Sequence, residues 1–300
     1  MTESLITDGP RRIGGFAVGP LAFGCWRLTT DSVDDARELI ETALDLGMNL
    51  VDNADVYGFD WGGAGFGANE ELLGRVLASA PALRDRMVLA TKGGIAPPTP
   101  YESSTTYLEA ACDASLRRLG TDVIDLYQIH RPDLFAHPAA VAATLASLRE
   151  KGKIREVGIS NHTPAQHEAL AAHLPFPLAT TQPEYSPAML DPLRDGTFDL
   201  CMREGVVPLA WSPLAGGRLI SGEGVRPELI TVLDGLAERE GVDRAAVCIA
   251  FVLAHPSAPV AILGTQTPAR LAAATAALAV TLDRGDVYAI VQASEGVPLP

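Results

Sequence analysis

Strand-like and helix-like patterns alternate along almost the whole chain, and no linker interrupts them. Short β-branched and apolar runs at 21–26, 50–55, 87–92, 123–130, 154–161, 178–186, 206–214 and 260–265 read as strands. Helical spacing fills the intervals at 33–46, 69–79, 105–119, 138–151, 164–173, 190–204, 227–240, 243–254 and 268–279. Alternation of this kind predicts a parallel sheet with helices packed on it. Eight strand–helix units in 300 residues predict a closed (β/α)8 barrel, a single domain over 1–300 with extra helices near the C-terminus. An open doubly wound sheet would want G-x-G-x-x-G after its first strand. The junction here reads GCWRLTTDS and lacks it.

Helix ends are marked locally. Ser32 is a candidate N-cap, and Asp35 stands three residues on, at the spacing of a capping box. Ala36, Leu39, Ile40, Ala43 and Leu44 share one helical face, and Gly47 and Gly120 close the first and third helices. The alanine-rich stretch 271–279 reads as a packed outer helix, and the terminal SEGVPLP reads as irregular.

Composition excludes several classes of function. Net charge is −14, from 23 basic and 37 acidic residues, which disfavours a nucleic-acid surface. No apolar run is long enough to cross a bilayer, and MTESLITDGPRR has no apolar h-region, so export is not expected. Asn161-His162-Thr163 fits a glycosylation pattern that has no meaning without export. Cys25, Cys112, Cys201 and Cys248 are scattered and read as reduced thiols of a cytoplasmic protein. HEALAAH (167–173) lacks the paired histidines of a zinc helix, and no metal site is expected.

The stretch NLVDNADVYG starts as a buried strand and then turns polar. In such barrels chemistry sits at the C-terminal ends of the strands. Asp52, Lys92 and His130 end the second, third and fourth strands, each continuing a mainly apolar, inward-facing row. Neighbouring strands lie ~4.8 Å apart, so the three side chains converge on one mouth, with Tyr57 able to arch back over them. A phenol of ordinary pKa ~10 is a poor acid at neutral pH, and a nearby ammonium lowers that value. Tyr57 then serves as proton donor to a carbonyl oxygen that His130 orients, while Asp52 holds Lys92 charged. No residue of this set supplies a hydride, so a cofactor is implied. The plain alternative is a structural Asp–Lys ion pair beside a scaffold histidine.

These segments resemble the aldo-keto reductase family across nearly the whole chain. DNADVYG is similar to the family's D-x-A-x-x-Y-G segment, LATKGG to its lysine-bearing strand, and LYQIHRPD to its L-x-x-x-H motif. The resemblance implies a catalytic tetrad of Asp52, Tyr57, Lys92 and His130. GISNH implies carboxamide contacts from Ser160 and Asn161, and TQPEYS adds Gln182. AWSPLAGGR implies that Trp211 stacks on the nicotinamide, where many members carry Tyr, and that Ser212, Leu214, Gly216 and Arg218 close over the pyrophosphate. LGTQTPARL resembles the loop that grips the 2′-phosphate, through Gly264, Thr265 and Arg270. Many members have Lys where Gly264 stands, and Asn where Ala274 stands. Arg270 favours NADPH, and the two departures leave NADH open.

The glycine-rich run 58–67 reads as a mobile loop at the barrel mouth rather than a phosphate loop, and Trp26, Phe59 and Trp61 are candidate substrate-pocket walls. The expected partner is a small-molecule carbonyl compound, with no nucleic acid and no membrane. Oligomeric state is open, although many members of the family are monomers. The short tail predicts an open site and broad specificity. Two other functions are weighed against carbonyl reduction: a Schiff-base aldolase using Lys92, and a non-catalytic nucleotide-binding regulatory subunit.

Overall fold

A computed structural model describes residues 4–59 and 62–299. The chain opens with a hairpin of β1 (Arg11–Ile13) and β2 (Phe16–Val18), paired antiparallel. Eight strands follow: β3 (Leu21–Gly24), β4 (Leu50–Asp52), β5 (Val88–Gly93), β6 (Ile124–Ile129), β7 (Ile154–Ser160), β8 (Thr180–Gln182), β9 (Val207–Ala210) and β10 (Val260–Leu263). They close into a barrel in chain order, with β10 pairing β3 and neighbouring strands parallel throughout. The predicted (β/α)8 barrel is therefore the observed fold.

Strand alternation divides the apolar residues into two shells. Ala22, Leu50, Val88, Ala90, Leu126, Leu209, Val260 and Ile262 fill the barrel interior, together with Ile13 and Val18 of the hairpin. Their strand neighbours Phe23, Val51, Leu89, Tyr127, Val157 and Ala261 point outward into the shell shared with the helices. The hairpin seals the N-terminal end of the barrel. Asn49, just ahead of β4, fixes it there, donating from Nδ2 to the Ala17 carbonyl and accepting from the Gly19 N–H, both at 2.9 Å.

The helices are α1 (Val33–Asp45), α2 (Ala68–Ser79), α3 (Thr105–Leu119), α4 (Pro138–Glu150), α5 (Pro164–Ala171), α6 (Thr197–Glu204), α7 (Arg218–Ser221), α8 (Pro227–Glu240), α9 (Arg244–Leu253), α10 (Pro268–Ala274) and α11 (Arg284–Glu295). Ser32 caps α1 through the Asp35 N–H. The reciprocal half of the expected box is replaced, because the Ser32 N–H donates to Thr30 Oγ1 at 3.2 Å.

The expected helix 190–204 is a 3-10 turn followed by α6, because Gly196 interrupts it in a left-handed conformation (φ 87°). The hairpin and α11 lie outside the sequence expectation. α11 packs on the outside of the barrel, burying Ile290 and Val291 and starting at a capping box of Asp283 with Asp286. No helix among the described residues is long and apolar enough to cross a membrane.

Candidate active site

Register brings the polar strand ends together. Asp52 pairs with Ala90 across β4 and β5, and Lys92 pairs with Gln128 across β5 and β6. His130 follows β6 directly, its backbone N–H donating to the Gly93 carbonyl. The chain turns sharply after Asp52. At Gly58 (φ 96°) a Cβ would fall 2.8 Å from both the Ala68 Cβ and the Gly65 carbonyl oxygen, so only glycine fits where this turn folds back toward α2. Tyr57 arches from it over Lys92, whose Nζ lies 4.7 Å from the ring centroid. Asp60 and Trp61 lie outside the described residues, so the substrate-wall expectation for Trp61 does too.

Lys92 commits all three of its protons. Nζ donates to Asp52 Oδ2 at 2.6 Å, to the Asn53 carbonyl at 2.9 Å and to the Tyr57 hydroxyl oxygen at 3.0 Å. The other Asp52 oxygen accepts from Gln128 Nε2 and Gln182 Nε2, each at 3.1 Å. Burial penalises the Lys92 ammonium, but Asp52 and Tyr57 outweigh that and raise its pKa. Lys92 is fully buried and charged, which disfavours the Schiff-base reading: a nucleophilic lysine needs a free, accessible amine.

The expected lowering of the Tyr57 pKa is corrected. Burial raises it more than Lys92 lowers it, so the resting phenol keeps its proton. Burial, reinforced by the charges of Lys92 and Arg131, holds His130 well below the usual histidine range, and its imidazole is neutral. That ring meets Tyr57 edge-on, with centroids 5.7 Å apart. His130 Nδ1 is buried without a hydrogen-bond partner among the described residues.

A cleft of about 1380 Å³ opens above this cluster at the C-terminal end of the barrel. Asp52, Tyr57 and His130 lie at its base, and Trp26 and Phe59 line it. Ser160, Asn161, Gln182 and Trp211 follow, then Ser212, Leu214 and Gly216, and at the far end Gly264, Thr265, Arg270 and Ala274. Arg218 is absent from these walls. Its Nε donates to the Ala215 carbonyl at 3.2 Å, which braces the 212–221 segment.

One continuous network orients the polar wall. Trp211 Nε1 donates to Asn161 Oδ1 at 3.0 Å, Asn161 Nδ2 donates to Ser160 Oγ at 2.8 Å, and Ser160 Oγ donates to the Gln182 carbonyl at 2.9 Å. Asn161 (φ 58°) and Ser212 (φ 56°) adopt left-handed backbone, which is uncommon for non-glycine residues and concentrates at functional sites. A cleft with an indole face, carboxamide-sized polar groups and a guanidinium among its lining residues fits a dinucleotide.

Sequence reasoning missed the residues that hold the cluster in place. Gln128 braces Asp52, and Asn69 Nδ2 donates to the Cys25 carbonyl at 2.6 Å, tying α2 to the end of β3. Gln128 did carry a signal, since a glutamine on the inward row of a buried strand needs a partner there.

The chain belongs to the Aldo/keto reductase family, whose sequence profile matches residues 20–295. It is an oxidoreductase of that family. It is 49% identical to the 6-dehydroglucose reductase of Novosphingobium aromaticivorans over the full length of both chains. It is 35% identical to the 6-dehydroglucose reductase of Agrobacterium fabrum, across 88% of this chain and 90% of that one. Among solved structures, the glycerol dehydrogenase of Gluconobacter oxydans superposes with a TM-score of 0.84 at 26% identity, covering 98% of each chain.

Proposed function

We propose that this protein is an NADPH-dependent carbonyl reductase in which Tyr57 is the proton donor, and that it reduces a sugar aldehyde of the 6-dehydroglucose kind. The observation that carries the chemistry is the hydrogen-bond count at Tyr57. Its oxygen accepts from Lys92, so its single proton is uncommitted, on a hydroxyl at the base of the cleft. When bound, the dinucleotide supplies the hydride that these side chains lack.

Tyr57 gives its proton to the carbonyl oxygen as negative charge grows there. Lys92 stabilises the phenolate left behind, and Asp52, fixed by Gln128 and Gln182, keeps the ammonium aimed at it. His130, neutral beside the phenol, orients the same oxygen. Ser160, Asn161 and Gln182 supply polar groups for the carboxamide, and Trp211, held by Asn161, offers an aromatic face to the nicotinamide. Ser212, Leu214, Gly216 and Arg218 cover or brace the pyrophosphate segment. Gly264, Thr265 and Arg270 receive the adenosine end. The guanidinium of Arg270 suits a 2′-phosphate and favours NADPH over NADH.

The substrate assignment rests on the full-length 49% identity to a 6-dehydroglucose reductase. Its carbonyl is an aldehyde at the end of a polyhydroxylated ring, which the open cleft beside Trp26 and Phe59 accommodates. All four cysteines are free and buried, which supports a reducing compartment such as the cytoplasm.

The test is cofactor oxidation with 6-dehydroglucose, simple aldehydes and ketones, using NADPH and NADH in parallel. We expect fastest turnover with NADPH and 6-dehydroglucose. Tyr57→Phe is expected to lower kcat by roughly 10²–10⁴-fold while cofactor binding persists. Unchanged turnover in that variant would remove Tyr57 as the donor. Tight cofactor binding with no wild-type turnover on the whole panel would favour the regulatory-subunit reading.

A further inference from the structure

Asp55 stands between Asp52 and Tyr57, fully buried, with its backbone N–H donating to the Lys92 carbonyl at 3.0 Å. Neither of its carboxyl oxygens has a hydrogen-bond partner among the described residues. The groups packed around it come from four elements. From β6, the Tyr127 hydroxyl is also buried without a partner. From α3, the Tyr107 hydroxyl donates its only proton to the Ile95 carbonyl at 2.9 Å, and Ile95 lines the cleft. From α2, Glu70 is fully buried, bonded to Thr91 Oγ1 at 2.5 Å and Arg118 Nε at 2.7 Å. From β5, Lys92 faces the other way, its three protons spent on Asp52, Asn53 and Tyr57.

Gly93 sets how close these groups come. A Cβ there would fall 2.2 Å from the Tyr127 hydroxyl and 3.5 Å from Asp55 Oδ2, so phenol and carboxyl flank the same bare stretch of backbone directly after Lys92. The two nearby cations are already paired, Arg118 with Glu70 and Lys92 with Asp52. An ionised Asp55 would be a buried carboxylate with no cation of its own, next to a second carboxylate, Glu70.

We propose that Asp55 is a neutral carboxylic acid in the working enzyme and acts as a positioning residue for Tyr57, joining the turn that carries this tyrosine to Tyr107 and Tyr127. A neutral acid has one proton to give and one oxygen to receive with. Tyr107, its own proton spent, can only accept, whereas Tyr127 has a proton to donate. The acid therefore ties the 53–58 turn to α3, β6 and the Ile95 wall without adding charge behind Lys92.

Burial and Glu70 raise the Asp55 pKa well above the carboxylate range; Arg118, the Val56 amide and Lys92 oppose this and are outweighed. Cys112, whose charge would act on Tyr127, is pushed up to about 12 by burial and stays a neutral thiol. The proposal takes Tyr57 to be the proton donor, as argued above. Ionisation of Asp55 would put a negative charge near Lys92 and disfavour the phenolate that Tyr57 must form.

Two measurements separate this proposal from the proposed activity. The first is carbon-13 NMR of full-length protein carrying carboxyl-labelled aspartate, with Asp55→Asn as the assignment control. One resonance at the protonated shift at neutral pH, missing from the variant, is expected. If every aspartate resonance has the ionised shift, the neutral acid is overturned, whether or not any aldehyde is turned over.

The second is kcat against pH, with the best aldehyde of the panel, for wild type, Asp55→Asn and Asp55→Ala. Asparagine keeps a donor and an acceptor, so its kcat is expected to stay within about threefold of wild type, with the alkaline fall moved to higher pH. Alanine is expected to lose kcat on the order of 10²-fold through misplacement of Tyr57. Asp55→Leu, closer in volume, takes its place if the alanine variant does not fold. Equal loss in the asparagine and apolar variants, or an alkaline limb that does not move, overturns the positioning role.

Discussion

Lys92 is held by contacts inside the fold, and that determines what a change at its partner does. Asp52→Asn would leave the buried ammonium with only neutral acceptors, and breaking a buried pair in this way costs about 3–5 kcal/mol. Denaturant unfolding of that variant is expected to register a loss of this size. Asp55 makes stability depend on pH. Its folded pKa lies above the ordinary 3.8, so the folded state retains a proton that the unfolded chain releases. Its contribution to stability is complete below about pH 4 and is lost as pH rises through the folded pKa. Replacement by Asn removes that dependence, so the melting temperature of Asp55→Asn should gain on wild type as pH is raised from acid to neutral; a difference independent of pH would contradict it. The meeting of Asp52, Tyr57, Lys92 and His130 was legible in the sequence because each breaks an apolar strand or follows one. Asp55 and Glu70 were not, because a polar residue beside a turn or on a helix gives no sign of where its partner lies. The net direction at Tyr57 was missed for a related reason: motif spacing shows the ammonium but not the depth of burial.

At the level of elements, the eight barrel strands and all but one of the longer helices were readable from periodicity, and the failures have local causes. β1 and β2 are three residues each, too short to show alternation, and they are recognisable only by what they cover. α6 was drawn too long across Pro192 and Gly196, both of which interrupt helices. α11 was overlooked although Asp283 and Asp286 form a capping box. Capping offers a clean test elsewhere. Thr163 Oγ1 accepts from the Gln166 N–H while Gln166 Oε1 accepts from the Thr163 N–H, at the start of an eight-residue helix. Thr163→Ala is expected to cost about 1 kcal/mol in thermal or chemical unfolding. This helix follows Ser160 and Asn161, so a weakened cofactor affinity in the same variant would place the cap among the supports of the polar wall.

Across the whole molecule, acid sensitivity follows from its buried and half-buried histidines. Burial holds His162 at about 4, against the pull of the Ser160 carbonyl, and His255 at about 4, against Asp199. Burial also lowers His167 and His130. Their folded pKa values lie below the unfolded value of about 6.5, so the unfolded chain takes up protons first. Their contribution to stability is complete above that pH and declines as pH falls toward 4. A melting temperature that stays flat from pH 7 to pH 4 would contradict this. The sequence contains only three lysines, Lys92, Lys151 and Lys153. Lys92 is sealed and fully hydrogen-bonded, whereas the other two flank the turn between α4 and the start of β7, at the end of the barrel opposite the cleft. Among lysine side chains, an amine-reactive support therefore finds its anchors only on that floor, and coupling through them presents every molecule with its cleft facing outward.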